Sequence, residues 1–173
     1  MSQKYSFFAW IIPLIAMKVT LILTGKTEDD YIQKGLAIFE QRLKHYVPFE
    51  TIILPALKNT KSLSTDQQKQ KEGELVFKQL SPSDRLILLD ENGKEFTSVN
   101  FAAYVQQQMN SGIKNIVFLV GGPYGFSEEI YKRANAKIAL SKMTFSHQMV
   151  RLFFIEQLYR AMTILKNEPY HHI

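Results

Sequence analysis

Residues 115–151 read NIVFLVGGPYGFSEEIYKRANAKIALSKMTFSHQMVR, and this stretch decides the fold. Asn115–Val120 is a short β-branched and aromatic run, the pattern of a buried strand. The run stops at Gly121, and three of the chain's eight glycines fall within Gly121–Gly125. Glycine directly after a strand admits positive φ and lets a ligand come close to the main chain. Ser127 is placed to cap a short helix, with Glu128 and Glu129 in its first turn. A second strand over Lys137–Leu140 runs into a polar loop, Ser141–His147, before a long helix begins. Two polar loops after consecutive strands suggest a ligand held by backbone groups from both. A dinucleotide fingerprint is rejected, because Val120 stands where the first glycine of G-x-G-x-x-G belongs.

Upstream, Met17–Thr24 has a strand pattern and is followed by Gly25-Lys26-Thr27. That tripeptide is no P-loop, since Thr20 occupies the place of the required first glycine. Glu28–Tyr46 carries apolar residues at helical spacing and Pro48 stops it; Phe49–Leu54 is the second strand. Pro55–Thr65 is a polar loop bearing Lys58 and Lys61, and Asp66–Leu80 a charged helix packing through Leu75, Val76 and Leu80. Arg85–Asp90 is a third buried strand. The acidic pair Asp90 and Glu91 then precedes Asn92-Gly93 and reads as local capping at a turn rather than as an acid/base site. Phe101–Met109 is helical and Gly112 closes it. Alternating strands and helices give an α/β domain with a mostly parallel sheet flanked by helices.

Downstream, the helix over Gln148–Lys166 is apolar around most of its circumference, so it is expected to be buried on two sides. The second side is expected to be another subunit, with Phe154 among the residues facing it. Within this helix Arg151, Glu156 and Arg160 stand out, the last two spaced for an i,i+4 ion pair. Pro169 ends the helix and releases the tail Asn167–Ile173.

Composition narrows the function classes. With 46% hydrophobic and 21% charged residues the chain is an ordinary globular one. Cysteine is absent, which excludes disulfides, thiolate metal sites and cysteine nucleophiles. The formal charge of +5 leans towards an anionic partner such as RNA. Residues 1–16 include an apolar run, Phe7–Ala16, shorter than the roughly 20 residues of a bilayer span. It is like the core of a signal peptide but has a poor cleavage pattern, Leu14 standing two before Ala16. The expectation is an N-terminal extension over 1–16 and a single domain over 17–173. Removing the extension takes away only Lys4 among the charged residues, so the basic lean survives.

GGPYGF, LSKMTFSHQMVR, IEQLYRA and NEPYHHI, in that order, resemble the bacterial 23S rRNA pseudouridine N3-methyltransferases of the SPOUT class. The resemblance runs from about Met17 to the C-terminus. It implies an α/β knot fold in which the backbone forms a deep trefoil, which no periodicity would have indicated. It further implies a cytoplasmic homodimer, with no membrane or metal partner, that binds S-adenosylmethionine and acts on 23S rRNA within the ribosome. Leu89, Gly121 and the loop Leu140, Ser141, Lys142, Met143, Thr144 and Phe145 are then expected to line the cofactor pocket. The residues expected to carry catalysis are His171, Tyr170 and Arg151, and His147 is read as a helix-start residue ordering the cofactor loop. His172 stands where the family's tail commonly has a Lys or Arg, which weakens a terminal phosphate-binding charge. Two other readings lead to different experiments. A non-catalytic RNA-binding module with a degenerate pocket would fail cofactor titration, and a chain exported by residues 1–16 would show its own mature N-terminus.

Overall fold

The apolar runs sort into one sheet. The structure, a computed structural model, describes residues 17–172; the expectations for residues 1–16 and for Ile173 lie outside the described residues. Strands β1 (Lys18–Thr24), β2 (Phe49–Leu54), β3 (Arg85–Glu95), β4 (Asn115–Val120) and β5 (Ala136–Ala139) alternate with helices. The helices are α1 (Asp30–Leu43), α2 (Thr65–Phe77), α3 (Ser98–Asn110), α4 (Glu128–Arg133) and α5 (Met149–Leu165). The strand order is β2-β1-β4-β3-β5 and every pairing is parallel.

A parallel sheet covered on both faces needs apolar strands at its centre, and β1, β4 and the Leu86–Leu89 part of β3 are buried almost without a break, whereas the edge strand β2 carries Glu50 and an exposed Ile53. Val19, Leu21 and Leu23 of β1, with Ile116, Phe118 and Val120 of β4, pack under α1, α3 and α5. The alternate residues Ile22, Leu86, Leu88, Val117 and Leu119 pack against Val76 of α2 and Ile130 of α4. The starts of α2, α3 and α4 are capped by side chains. Ser64 and Gln67 make a reciprocal capping box at α2, and the Ser127 hydroxyl accepts from the Ile130 amide at α4.

Two expectations are corrected here. The turn read at Asn92-Gly93 is part of β3, which continues to Glu95 and bends round β5. Ile138 pairs with Leu89 before the bend and with Lys94 after it. Gly93 is needed for this close approach, since a methyl group on its α-carbon would lie 2.5 Å from the Ile138 backbone. This wrapping, with the chain passing from α4 on one face through β5 to α5 on the other, is consistent with a knotted backbone. The second correction concerns Phe154, which is fully buried within the subunit and packs at a tilt against Phe118 with ring centroids 4.7 Å apart. Its neighbour Phe153 is the exposed one, at 41%.

Candidate functional site

β4, β5 and the first, straight part of β3 up to Leu89 reach the same rim of the sheet, the position at which open parallel sheets hold ligands. A cavity of about 540 Å³ opens there, within the range of small-molecule sites. Its walls are the bend of β3, the loop from Gly121 to Phe126, Tyr131 of α4, and the segment from Leu140 to His147 with Val150 of α5. Leu89, Gly121, Leu140, Ser141, Met143, Thr144 and Phe145 all line it, whereas Lys142 is exposed and does not.

Polar contacts tie the walls together. The Thr144 hydroxyl donates to Glu91 Oε2 at 3.1 Å, joining the late loop to β3. Tyr131 donates to Asp90 Oδ2 at 2.6 Å, joining α4 to the same strand. Burial and then this hydrogen bond push the Tyr131 phenol up to about 12, so it stays a donor. Asp90 Oδ1 does accept from the Asn92 amide at 2.8 Å, the local capping expected from sequence. Both carboxylates nevertheless line the cavity. Tyr124 and Tyr131 also face it without having been singled out. Nothing in the periodicity of a short helix marks Tyr131, because its partner lies 41 residues away in sequence.

Arg151 does not face the cavity. Its side chain is fully buried, and its guanidinium donates to the Thr24 carbonyl at 2.7 Å, the Gly25 carbonyl at 3.0 Å and the Thr27 hydroxyl at 2.9 Å. Its Nε donates to the His147 carbonyl at 3.0 Å. The Gly25-Lys26-Thr27 loop is thus wrapped around an arginine, which clips the start of α5 to the end of β1. Gln148 reinforces the clip, donating to the Lys26 carbonyl and accepting from the Glu28 amide. In this geometry Arg151 is a positioning residue.

Tyr170 and His171 lie at the other end of α5. The Tyr170 ring meets Tyr159 edge-to-face with centroids 4.8 Å apart and lies under the Arg160 guanidinium at 4.7 Å. Burial first, and then the hydrogen bond to Glu156, raise the Tyr170 phenol above its ordinary value. His171 Nδ1 is 3.4 Å from Arg160 Nη1. Guanidinium nitrogen only donates, so Nδ1 accepts and the ring proton of neutral His171 sits on Nε2. Ten residues of helix, about 15 Å, separate Val150 at the cavity from Arg160 at the tail. Within one subunit the cavity and the tail are not brought together.

Among the described residues no helix is long and apolar enough to cross a membrane, and no group of His, Asp or Glu is placed to hold a metal ion.

Over residues 17–171 the chain matches the family described as "Predicted SPOUT methyltransferase". Its relatives include the ribosomal RNA large subunit methyltransferase H of Christiangramia forsetii, 59% identical over 90% of this chain and 99% of that protein. The proteins of the same name from Parabacteroides distasonis and Cytophaga hutchinsonii are each 60% identical over 90% of this chain, covering 99% and 100% of their own lengths.

Proposed function

The chain belongs to the SPOUT methyltransferase family, and from that premise we propose that it methylates N3 of a pseudouridine in 23S rRNA of the large ribosomal subunit, using S-adenosylmethionine. The observation that carries this reading is the cavity of about 540 Å³ between two loops at the carboxyl ends of β4, β5 and the straight part of β3. Its lining suits the cofactor. Glycines let the backbone approach, Ser141 and Thr144 offer hydroxyls, Asp90 and Glu91 offer acceptors, and Met143, Phe145 and Tyr124 offer apolar faces. When bound there, S-adenosylmethionine supplies an already activated methyl group, so the protein's part is positioning and electrostatics. Leu89, Gly121 and the loop Leu140–Phe145, in which Lys142 is exposed, would hold it.

The nucleophile is an imide nitrogen that must lose its proton before it attacks. His171 can take that proton at Nδ1 only after leaving Arg160; while it stays, its Nε2–H serves as a donor to a carbonyl or phosphate oxygen. Tyr170 offers a ring face on which a base can stack. Because the tail sits at the far end of α5, we read the working unit as a homodimer in which one subunit's tail meets the other's cavity. Exposed Phe153, whose ring lies 4.9 Å from that of cavity-lining Phe145, supports a contact beside the cavity. Residues 17–173 form the catalytic domain in this reading, and the site of action is the cytoplasm, where ribosomes are.

The test is methyl transfer from labelled S-adenosylmethionine to large subunits, whole ribosomes and free 23S rRNA from cells lacking the modification, with the product nucleoside identified by mass spectrometry. The expected product is one N3-methylpseudouridine. No transfer to any of the three substrates would overturn the reading.

A further inference from the structure

α2 is a polar helix whose buried residues are Glu72, Gly73 and Val76. A carboxyl group in that set needs a reason, since burying an unpaired charge is costly. Glu72 is only 9% exposed, and its Oε1 accepts from Gln68 Nε2 at 3.3 Å. No ion pair reaches it among the described residues: Lys69, which lines the same crevice, is paired with Asp66 at 2.8 Å. Both carboxyl oxygens instead fill the space beside Gly122 that a side chain would need: a methyl group on its α-carbon would lie 2.8 Å from Oε2 and 3.0 Å from Oε1. The fit is reciprocal, because a methyl group on Gly73 would lie 2.9 Å from Ser127 Oγ at the far end of the same loop. Gly121, Gly125 and Phe126 line both this crevice and the large cavity. The glycine loop is therefore a thin wall with the cavity in front and Glu72 behind.

On the cofactor reading given above, we propose that Glu72 is a positioning residue that sets the shape of the glycine loop through Gly122, linking cofactor affinity to the protonation of a side chain that never touches the cofactor. Burial pushes the Glu72 carboxyl above its ordinary value, with the hydrogen bond from Gln68 opposing. Lys69 is the charged group sharing its crevice; Thr24 of β1, Leu119 of β4, Phe126 of the loop, and Ser127 and Ile130 at α4 carry no titratable side chain. Below its raised pKa the carboxyl is neutral and the loop packs on it without charge. As pH rises through that value an unpaired carboxylate must stay buried or swing out, and Gly122 loses its backing. Affinity is therefore full at acid pH and falls as Glu72 ionises.

Calorimetric titration with S-adenosylmethionine from about pH 5 to about pH 8 tests this. Wild-type affinity should fall about tenfold across the Glu72 ionisation. Glu72→Gln, which keeps the shape and cannot ionise, should bind tightly throughout. Glu72→Ala should bind about tenfold more weakly at every pH. Gly122→Ala should lose binding, and adding Glu72→Ala should restore part of it by vacating the space the new methyl needs. In the free protein the Gly122 amide resonance should titrate with pH in the wild type and stay fixed in Glu72→Gln. If the wild type binds but Glu72→Gln has the same pH profile, or Gly122→Ala is not rescued, the positioning role is wrong and the cofactor reading stands. If the wild type binds no cofactor while the Gly122 amide still titrates, the cofactor reading is wrong and the link to binding falls with it.

Discussion

Tyr170 donates its phenolic hydrogen to Glu156 Oε1 at 3.0 Å, the same oxygen that Arg160 Nη2 holds at 2.6 Å. The i,i+4 ion pair read from sequence is thus also the anchor of the tail. Deleting residues 170–173 should leave cofactor affinity nearly unchanged and reduce rRNA methylation by about a hundredfold or more. Mixed dimers of a tail-deleted subunit with a Ser141→Trp subunit, whose cavity is filled, should regain one working site. Activity no higher than that of either parent would favour a tail acting in its own subunit or none at all.

The subunit contact is expected to run over exposed Phe153 and not over Phe154. Phe153→Glu should give folded monomers with an unchanged circular dichroism spectrum. Truncating Phe154, which sits inside the core, should cost about 3–5 kcal/mol of stability. Sedimentation equilibrium separates the two effects. A wild-type chain that is monomeric at micromolar concentration would remove the basis for a shared site.

Arg151 should matter for stability before chemistry. Arg151→Met strands the carbonyls of Thr24, Gly25 and His147 and should lower unfolding free energy by about 3 kcal/mol. Arg151→Lys should recover less than half of that, because an ammonium group cannot reproduce the planar fork. Denaturant titration measures both. Wild-type stability together with abolished methyl transfer in Arg151→Met would return the residue to a direct role at the substrate.

Gly121→Val reads from the sequence as a clean block of cofactor approach. The structure adds a cost, because a methyl group on Gly121 would lie 2.9 Å from the buried ring of Phe126. The variant should lose about 1–3 kcal/mol of stability as well as binding. Combining it with Phe126→Leu should recover stability and leave binding lost. Calorimetry of the double variant decides whether the two losses separate.

The sequence by itself determined the layered α/β architecture. β2 and β4 were legible to the residue, Phe49–Leu54 and Asn115–Val120, because β-branched and aromatic residues dominate both, β4 being apolar without a break from Ile116, and the turns that flank them are chemically distinct. The two loops that wall the cavity were legible for a similar reason: glycines and small polar residues directly after strands have few uses in a core. Tertiary structure alone decided the rest. Whether Phe153 or Phe154 faces outward depends on which side of α5 meets Phe118, and helical spacing does not record that in a helix apolar nearly all round. Gly93 looked like a turn residue because nothing local reveals that β5 will cross its backbone. Arg151 looked available for chemistry because two of the three carbonyls that consume it, those of Thr24 and Gly25, lie more than 120 residues away in sequence. Glu72 looked like one more charge on a polar helix until Gly122 was found against it. Spacing along the chain reports contacts within an element; contacts between elements depend on how the layers close, and that is where this site is made.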